Sequence, residues 1–188
     1  MAQQDNVVRR YAIDDLPFMR WLIEQGADVK ARSDLDESTL SVAITTGSMD
    51  VVRFLLEHEH DVTRGNLLHC AAQRKDQAEG AMLAQELLSR GADANAHRYN
   101  NDIALRKRLL SKLPTPLHVT SLEGNLPVAQ VLLHYGGNPH CNMLEATKDV
   151  PPTPMSIARK RQDERMVDLL STAYLSEAEE RTHTNSTF

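Results

Sequence analysis

The chain is organised as short apolar runs with helical spacing, separated by polar turns. The clearest run is SMDVVRFLLEH at 48–58, in which Val51, Val52, Leu55 and Leu56 recur every three or four residues. This spacing predicts an amphipathic helix with one buried face. Comparable runs end in leucine pairs at 87–88, 132–133 and 169–170. The pattern therefore predicts a series of similar helices.

Two turns that follow such runs are nearly identical. Residues 24–31 read EQGADVKA, and residues 89–96 read SRGADANA. They lie apart by about twice the 33-residue period of one known repeat class. Weaker copies are LLEHEHDVT at 55–63 and LLHYGGNPHCN at 132–142. One helix pair cannot bury its apolar face alone, so repeated pairs are expected to stack.

A four-residue motif recurs at the start of four predicted helix pairs. It reads STLS at 38–41, NLLH at 66–69, TPLH at 115–118 and TPMS at 153–156. A hydroxyl side chain can cap the free N–H groups of a helix start, and proline is tolerated at the first helical position. These tetrads are therefore predicted to start helices.

Taken in register, these motifs resemble the ankyrin-repeat family, most closely in TPLHVTSLEGNLPVAQVLLHYG at 115–136 and in the two Gly-Ala-Asp turns. The resemblance covers roughly residues 7–175. It implies an all-α fold, an α-solenoid of about five stacked helix pairs with projecting hairpins. The expected array spans 1–175, and a polar tail at 176–188 is expected to be disordered. The expected units are about 7–31, 32–63, 64–96, 97–142 and 143–175.

The largest departure from the family pattern is an insertion at 97–113, HRYNNDIALRKRLLSKL. From Ala96 to Thr115 there are 19 residue steps, where a regular repeat has about seven. We expect the insertion to form a long finger or a short helix with a basic tip. Long insertions on one edge of a solenoid tend to lie on the binding face.

Three smaller departures accompany it. About four residues are added around 76–80, which predicts an enlarged turn between the helices of the third unit. The loop 143–152 is about five residues over the regular length. The hairpin between the second and third units is cut to Arg64 and Gly65. A shortened hairpin beside a long insertion predicts a notch next to the finger.

Composition narrows the range of partners. The formal charge is −5 and only 4% of residues are aromatic, which argues against a nucleic-acid binder. Cys70 and Cys141 form no CxxC pattern, as expected for a reducing compartment. The N-terminus has no apolar signal core, and no apolar run reaches the length of a membrane span. We therefore predict a monomeric protein with no membrane partner, in the cytoplasm, with the nucleus as the alternative.

Candidate chemistry is sparse. His69 and His118 occupy the histidine position of the tetrad, where the resemblance implies a structural hydrogen-bonding role. Residues 58–61, HEHD, contain metal-ligand types, but they follow a helix end and have no second ligand cluster at a typical spacing. No phosphate loop, GxSxG or HExxH motif is present. No catalytic residue, cofactor or metal is predicted.

The resemblance implies a non-enzymatic protein–protein interaction module, an adaptor or scaffold, which binds a partner protein through its concave groove and the 97–113 finger. The family's contact positions correspond here to Asp34, Leu35, Glu37, Thr45, Thr46, Gln73, Arg74, Leu122, Glu123, Lys160 and Arg161. The finger adds Tyr99, Arg106 and Arg108, of which the first two are the residue types favoured at interface centres.

Two other function classes are left open. The first is a small enzyme or small-molecule binder, using a pocket between the groove and the insertion. Its candidate acid–base groups are His97, Tyr99, Asp34 and Glu123. The second is nucleic-acid binding through the basic clusters 106–108 and 159–161, which could equally be solubilising charges.

Overall fold

The computed structural model of the chain describes residues 12–33, 36–59, 61–64, 66–98, 112–145 and 148–172. In these ranges the chain forms helices and one small hairpin. The helices are α1 Leu16–Glu24, α2 Thr39–Thr46, α3 Met49–His58, α4 Leu67–Gln73, α5 Gln77–Ser89, α6 Pro116–Glu123, α7 Leu126–His134 and α8 Pro154–Arg161, followed by α9 at 164–172. The strands are β1 Met143–Glu145 and β2 Lys148–Val150.

The helices form two layers. Helices α2, α4, α6 and α8, which begin at the four tetrads, pack side by side and form what we call the first-helix layer. Helices α3, α5 and α7 each pack against their own partner in the second layer, and α1 packs against α3. The apolar faces of both layers meet in one continuous core. The expected all-α solenoid is confirmed.

The tetrads start the first helices as expected. The Ser38 hydroxyl accepts a hydrogen bond from the Ser41 N–H at 3.2 Å, and the Thr153 hydroxyl accepts one from the Ser156 N–H at 3.1 Å. Pro116 and Pro154 occupy the first helical turn of α6 and α8. Each bond satisfies a backbone donor that the helix itself cannot pair.

The repeated glycines end three of the second-layer helices. Gly26, Gly91 and Gly136 have φ of 87°, 96° and 80° and follow α1, α5 and α7. Glycine adopts this left-handed conformation without the penalty that a Cβ atom brings. The two Gly-Ala-Asp turns are therefore similar in sequence because each ends a helix with the same left-handed glycine.

The end of α3 lacks this glycine and is joined to its neighbours by ion pairs. Arg32 contacts Glu59 at 3.1 Å and Asp36 at 3.5 Å, and Arg64 contacts Asp36 at 3.2 Å. The four side chains link the turn before α2 to the end of α3 and to the shortened hairpin.

The extra residues of the third unit lengthen a helix, so the expected enlarged turn was largely wrong. Helix α5 has 13 residues, against 10 in α3 and 9 in α7. The turn before it is only residues 74–76. The reason is local: an Asp76 carboxylate oxygen accepts bonds from the N–H groups of Ala78 and Glu79, both at 3.0 Å, and starts the helix early.

The long loop at 143–152 folds into an antiparallel hairpin in which Met143 pairs with Val150. Leu113 joins its edge, exchanging hydrogen bonds of 2.7 and 3.0 Å with Leu144. The Arg98 N–H donates to the Pro114 carbonyl at 2.8 Å, which closes the base of the insertion. The predicted finger tip and the tail at 176–188 lie outside the described residues.

Candidate partner-binding groove

An open groove of about 780 Å³ lies between α6 and α8, on the first-helix layer. It is bounded at one end by the β1–β2 hairpin and by the residue that precedes the TPLH tetrad. The lining residues are Pro114, His118, Val119, Leu122, Met143, Pro151, Pro152, Ser156, Ile157, Lys160 and Arg161.

Most of this lining is apolar. Val119 is 5% exposed and forms the floor, while Leu122 is 55% exposed, more than any other large hydrophobic side chain in the described ranges. Met143 and Ile157 are half-buried. Interaction surfaces typically contain a solvent-exposed aliphatic side chain that adjoins other apolar residues.

His118 is a polar residue of the groove lining, and both of its ring nitrogens are hydrogen-bonded. Its Nε2–H donates to the Pro152 carbonyl at 3.0 Å, and its Nδ1 accepts from the Thr115 N–H at 3.1 Å. Burial lowers the pKa of His118 to about 4, so the ring is neutral near pH 7. The side chain thereby connects α6 to the hairpin segment that precedes α8.

His69 repeats this arrangement one unit earlier. Its Nε2–H donates to the Pro114 carbonyl at 2.9 Å, and burial lowers its pKa to about 3. The structural role expected for both histidines is confirmed. Together they hold Pro114 and Pro152, two of the groove's lining residues, by their carbonyl oxygens.

The charge at the groove is positive. Lys160 and Arg161 are exposed at the C-terminal end of α8. Neither forms an ion pair with a carboxylate within the described part of the chain. None of the described lining residues is acidic. Lys112 is close by but is not a lining residue, and its ammonium donates to the Pro151 carbonyl at 2.8 Å.

Of the predicted contact residues, the structure brings three together in this groove: Leu122, Lys160 and Arg161. Thr45, Thr46 and Arg74 instead border a second depression of about 290 Å³. The threonine hydroxyls are bonded within α2, to the carbonyls of Ser41 and Val42.

Arg74 differs from its predicted position, because its side chain is only 8% exposed. The guanidinium donates to the carbonyls of Ile44 and Gly47, both at 2.8 Å, and to the Glu79 carboxylate at 2.8 Å. Its donors are therefore engaged inside the array rather than presented on the groove.

The other predicted contacts are dispersed. Glu37 and Gln73 are half-buried, and Glu123 is exposed beside Leu122; none of the three lines a cavity described above. Outside the described residues lie Asp34, Leu35, Tyr99, Arg106 and Arg108.

A third cavity, of about 200 Å³, lies where the notch was predicted. Asn66 from the tetrad that follows the shortened hairpin, Asp36 from the turn before α2 and His97 from the base of the insertion line it. His97 Nε2 also lies 3.3 Å from the Asn142 carbonyl. His97 and Glu123, the two described acid–base candidates, share none of these three cavities.

The predicted set missed the apolar half of the groove: Pro114, Val119, Met143, Pro151, Pro152 and Ile157. The over-long loop ending in Pro151 and Pro152 was a signal, because an extra hairpin must pack somewhere. Sequence spacing did not indicate that it would close the end of a groove.

The HEHD segment has other partners. His58 Nδ1 lies 2.7 Å from the Phe54 carbonyl, and Glu59 is paired with Arg32. His60 lies outside the described residues. Among those described, no three His, Cys, Asp or Glu side chains are grouped so that they could hold a metal ion. In the same ranges, no helix has the length and apolarity needed to cross a membrane.

Capped helix pairs stacked in two layers, with an open groove across the first helices, define a repeat-built helical scaffold. Sequence comparison places it more narrowly. A profile of three ankyrin repeat copies matches residues 10–98, and a profile of a single ankyrin repeat matches residues 115–143. The chain belongs to the ankyrin-repeat family. Members of this family are generally protein–protein interaction modules and are typically non-enzymatic. No curated protein sequence shows a significant match to the chain.

Proposed function

We propose that this protein is a non-enzymatic adaptor or scaffold, which binds a partner protein in the groove between α6 and α8. The observation that carries the proposal is the apolar lining of that open groove, with Leu122 55% exposed. Exposed apolar patches on an otherwise polar surface mark sites of association.

Preorganisation of the groove supports the proposal. The groove is built on two helices, and its proline-rich end is held by the bonds from His69 and His118. A surface that is already ordered loses little conformational entropy when a partner binds. Affinity can then come from burying Leu122 and its apolar neighbours.

We further propose that Tyr99, Arg106 and Arg108 of the insertion contact the same partner. Pro114, at the closed base of the insertion, is itself a lining residue of the groove. Replacing Tyr99 and Arg106 together with alanine is expected to weaken binding and to leave the melting temperature nearly unchanged. Unchanged affinity in that double variant would remove the finger from the proposed site.

The alternative, a small-molecule site, has one observation in its favour. The groove volume of about 780 Å³ lies within the range typical of ligand pockets. However, such pockets usually enclose most of their ligand and bring several polar groups together. A metabolite that raises the melting temperature of the parent chain but not of the Leu122→Ser variant would favour this alternative.

The adaptor proposal is tested by affinity capture from a native extract with four baits. The baits are the parent chain, Leu122→Ser, Met82→Ser and a chain whose residues 99–111 are replaced by a short Gly-Ser turn. Met82, 53% exposed and outside the groove, is the matched control for Leu122. We expect a protein retained by the parent and by Met82→Ser and lost by Leu122→Ser. Retention of no protein, or equal retention by all baits, would contradict the proposed site.

The monomeric state and the cytoplasmic location are part of the same proposal. The basis for the location is the reducing environment suggested by cysteine usage. Sedimentation of the purified chain tests the first, and imaging of the tagged chain tests the second.

A further inference from the structure

We infer that the groove recognises an extended partner segment in which an apolar anchor of about four residues adjoins one or more carboxylates. This inference rests on the proposed function and specifies the chemistry of the partner. Three observations support it: the length of the groove, the three prolines at one end and the two exposed lining cations at the other end.

The length of the groove sets the length of the anchor. Helices α6 and α8 have eight residues each, so the groove beside them runs for about 12 Å. An extended chain advances about 3.3 Å per residue, so about four residues occupy this distance. Their side chains would cover Val119, Leu122 and Ile157.

One end of the groove is lined by three prolines. Pro114, Pro151 and Pro152 lack a backbone N–H. The carbonyls of Pro114 and Pro152 are already bonded to His69 and His118. An aliphatic side chain can pack against these prolines without leaving either carbonyl unpaired, and the Lys112 ammonium at this end is already bonded to the Pro151 carbonyl.

The other end carries the two cations that line the groove. Lys160 and Arg161 lie on the last turn of α8, and the described lining holds no carboxylate to neutralise them. The protein as a whole has a formal charge of −5, so two lining cations that form no ion pair with a described carboxylate are a local departure from its overall sign. Aspartate or glutamate of a partner would pair with them and fix the direction of the segment.

The inference is tested with a phage-displayed library of random 12-residue peptides, selected against the full chain. Selected peptides are then synthesised with a fluorophore and titrated by anisotropy. We expect them to contain aliphatic residues within about four positions of Asp or Glu. Affinity should fall at least tenfold in Leu122→Ser and in Lys160→Glu/Arg161→Glu, and should weaken as salt is raised.

Matched controls separate the groove from the rest of the surface. Met82→Ser controls for loss of an exposed apolar side chain, and Lys30→Glu/Arg165→Glu controls for reversal of two exposed cations outside the groove. Both are expected to change affinity less than twofold. A selected peptide with its acidic residues replaced by lysine should bind the Lys160→Glu/Arg161→Glu variant more tightly than the parent chain.

Each contrary outcome has a distinct meaning. Selected peptides that bind the groove variants as tightly as the parent chain would overturn this inference. The adaptor proposal would then require a binding site outside the groove. Apolar peptides without acidic preference would overturn the charge pairing. Failure to select any peptide would overturn the inference. The proposed adaptor function would be contradicted only if the affinity capture from a native extract also failed. Binding of a simple amphiphile such as decanoate in place of peptides would show that the groove holds a small molecule and would overturn the inference.

Discussion

The Arg74 guanidinium donates a hydrogen bond of 2.8 Å to the carbonyl oxygen of Ile44, which lies 30 residues earlier and one helix pair away. It also donates to the Gly47 carbonyl. These carbonyls lie at the C-terminal end of α2, where the helix has no partners for them and where positive charge is favoured. Asn125 forms the corresponding bond one unit later, its amide donating to the Ala72 carbonyl at 3.0 Å. Turn residues of one unit therefore cap the first helix of the unit before.

Replacing Arg74 with alanine is expected to lower the free energy of unfolding by about 3 kcal/mol, because buried carbonyls would lose a charged donor. Urea denaturation checks this value. Lys75→Ala, at an exposed neighbouring position, should change it by less than about 0.5 kcal/mol. A loss below about 1 kcal/mol in Arg74→Ala would mean that water replaces the bonds, and would return Arg74 to the list of surface residues.

Stability is expected to fall as the pH is lowered from about 6.5 towards 4. The folded-state pKa values of His118 and His69 are lowered to about 4 and about 3. The unfolded chain, with histidine pKa near 6.5, therefore binds more protons in this window, and protons favour unfolding. The lowered pKa of His118 alone should reduce the free energy of unfolding by about 2 kcal/mol between pH 7 and pH 5.

The His118→Gln variant isolates this effect. We expect this variant to be less stable than the parent at pH 7. Between pH 7 and pH 5, however, its free energy of unfolding should fall by about 2 kcal/mol less than that of the parent. Denaturant curves at both pH values for each chain give the comparison. Equal losses in the two chains would show that His118 titrates normally in the folded state.

Gly80 is predicted to resist replacement by alanine although it lies inside α5. A Cβ atom there would be 2.7 Å from the Ala71 carbonyl oxygen and 3.2 Å from Val128 Cγ2. Alanine favours a helix over glycine by about 1 kcal/mol, but overpacking against a backbone oxygen costs about 1–3 kcal/mol. Thermal unfolding of Gly80→Ala should therefore show a lower melting temperature. Met82→Ala on the exposed side of α5 should not, and a stabilised Gly80→Ala would indicate that α4 and α5 can separate.

Helix α6 should respond differently on its two faces. Leu117 is fully buried, and Leu117→Ala is expected to cost about 3 kcal/mol. Leu122→Ser, on the exposed face, should change the free energy of unfolding by less than about 0.5 kcal/mol. Chemical denaturation of both variants tests this. A large loss in Leu122→Ser would make Leu122 part of the core and would remove the main support for a binding groove.

The sequence alone was sufficient for the repeat and its helix starts. The spacing of Leu55 and Leu56 predicted a buried helix face, and the tetrads at 115–118 and 153–156 predicted helix starts that the structure places at Pro116 and Pro154. These features depend on neighbours a few residues away, through helical periodicity and capping. Local rules also account for the lengthened α5, since Asp76 is a recognisable N-cap, although chain length alone predicts a larger turn at this point.

Only the tertiary structure decided which surface is available for binding. Val119, Met143 and Pro152 become neighbours because α6 and α8 stack and the hairpin between them closes one end. Arg74 and Leu122 were both predicted as contacts, yet one is buried under helix-end carbonyls and the other remains 55% exposed. The physical reason is that burial and charge pairing depend on side chains from the next unit. Periodicity within one unit carries no information about them.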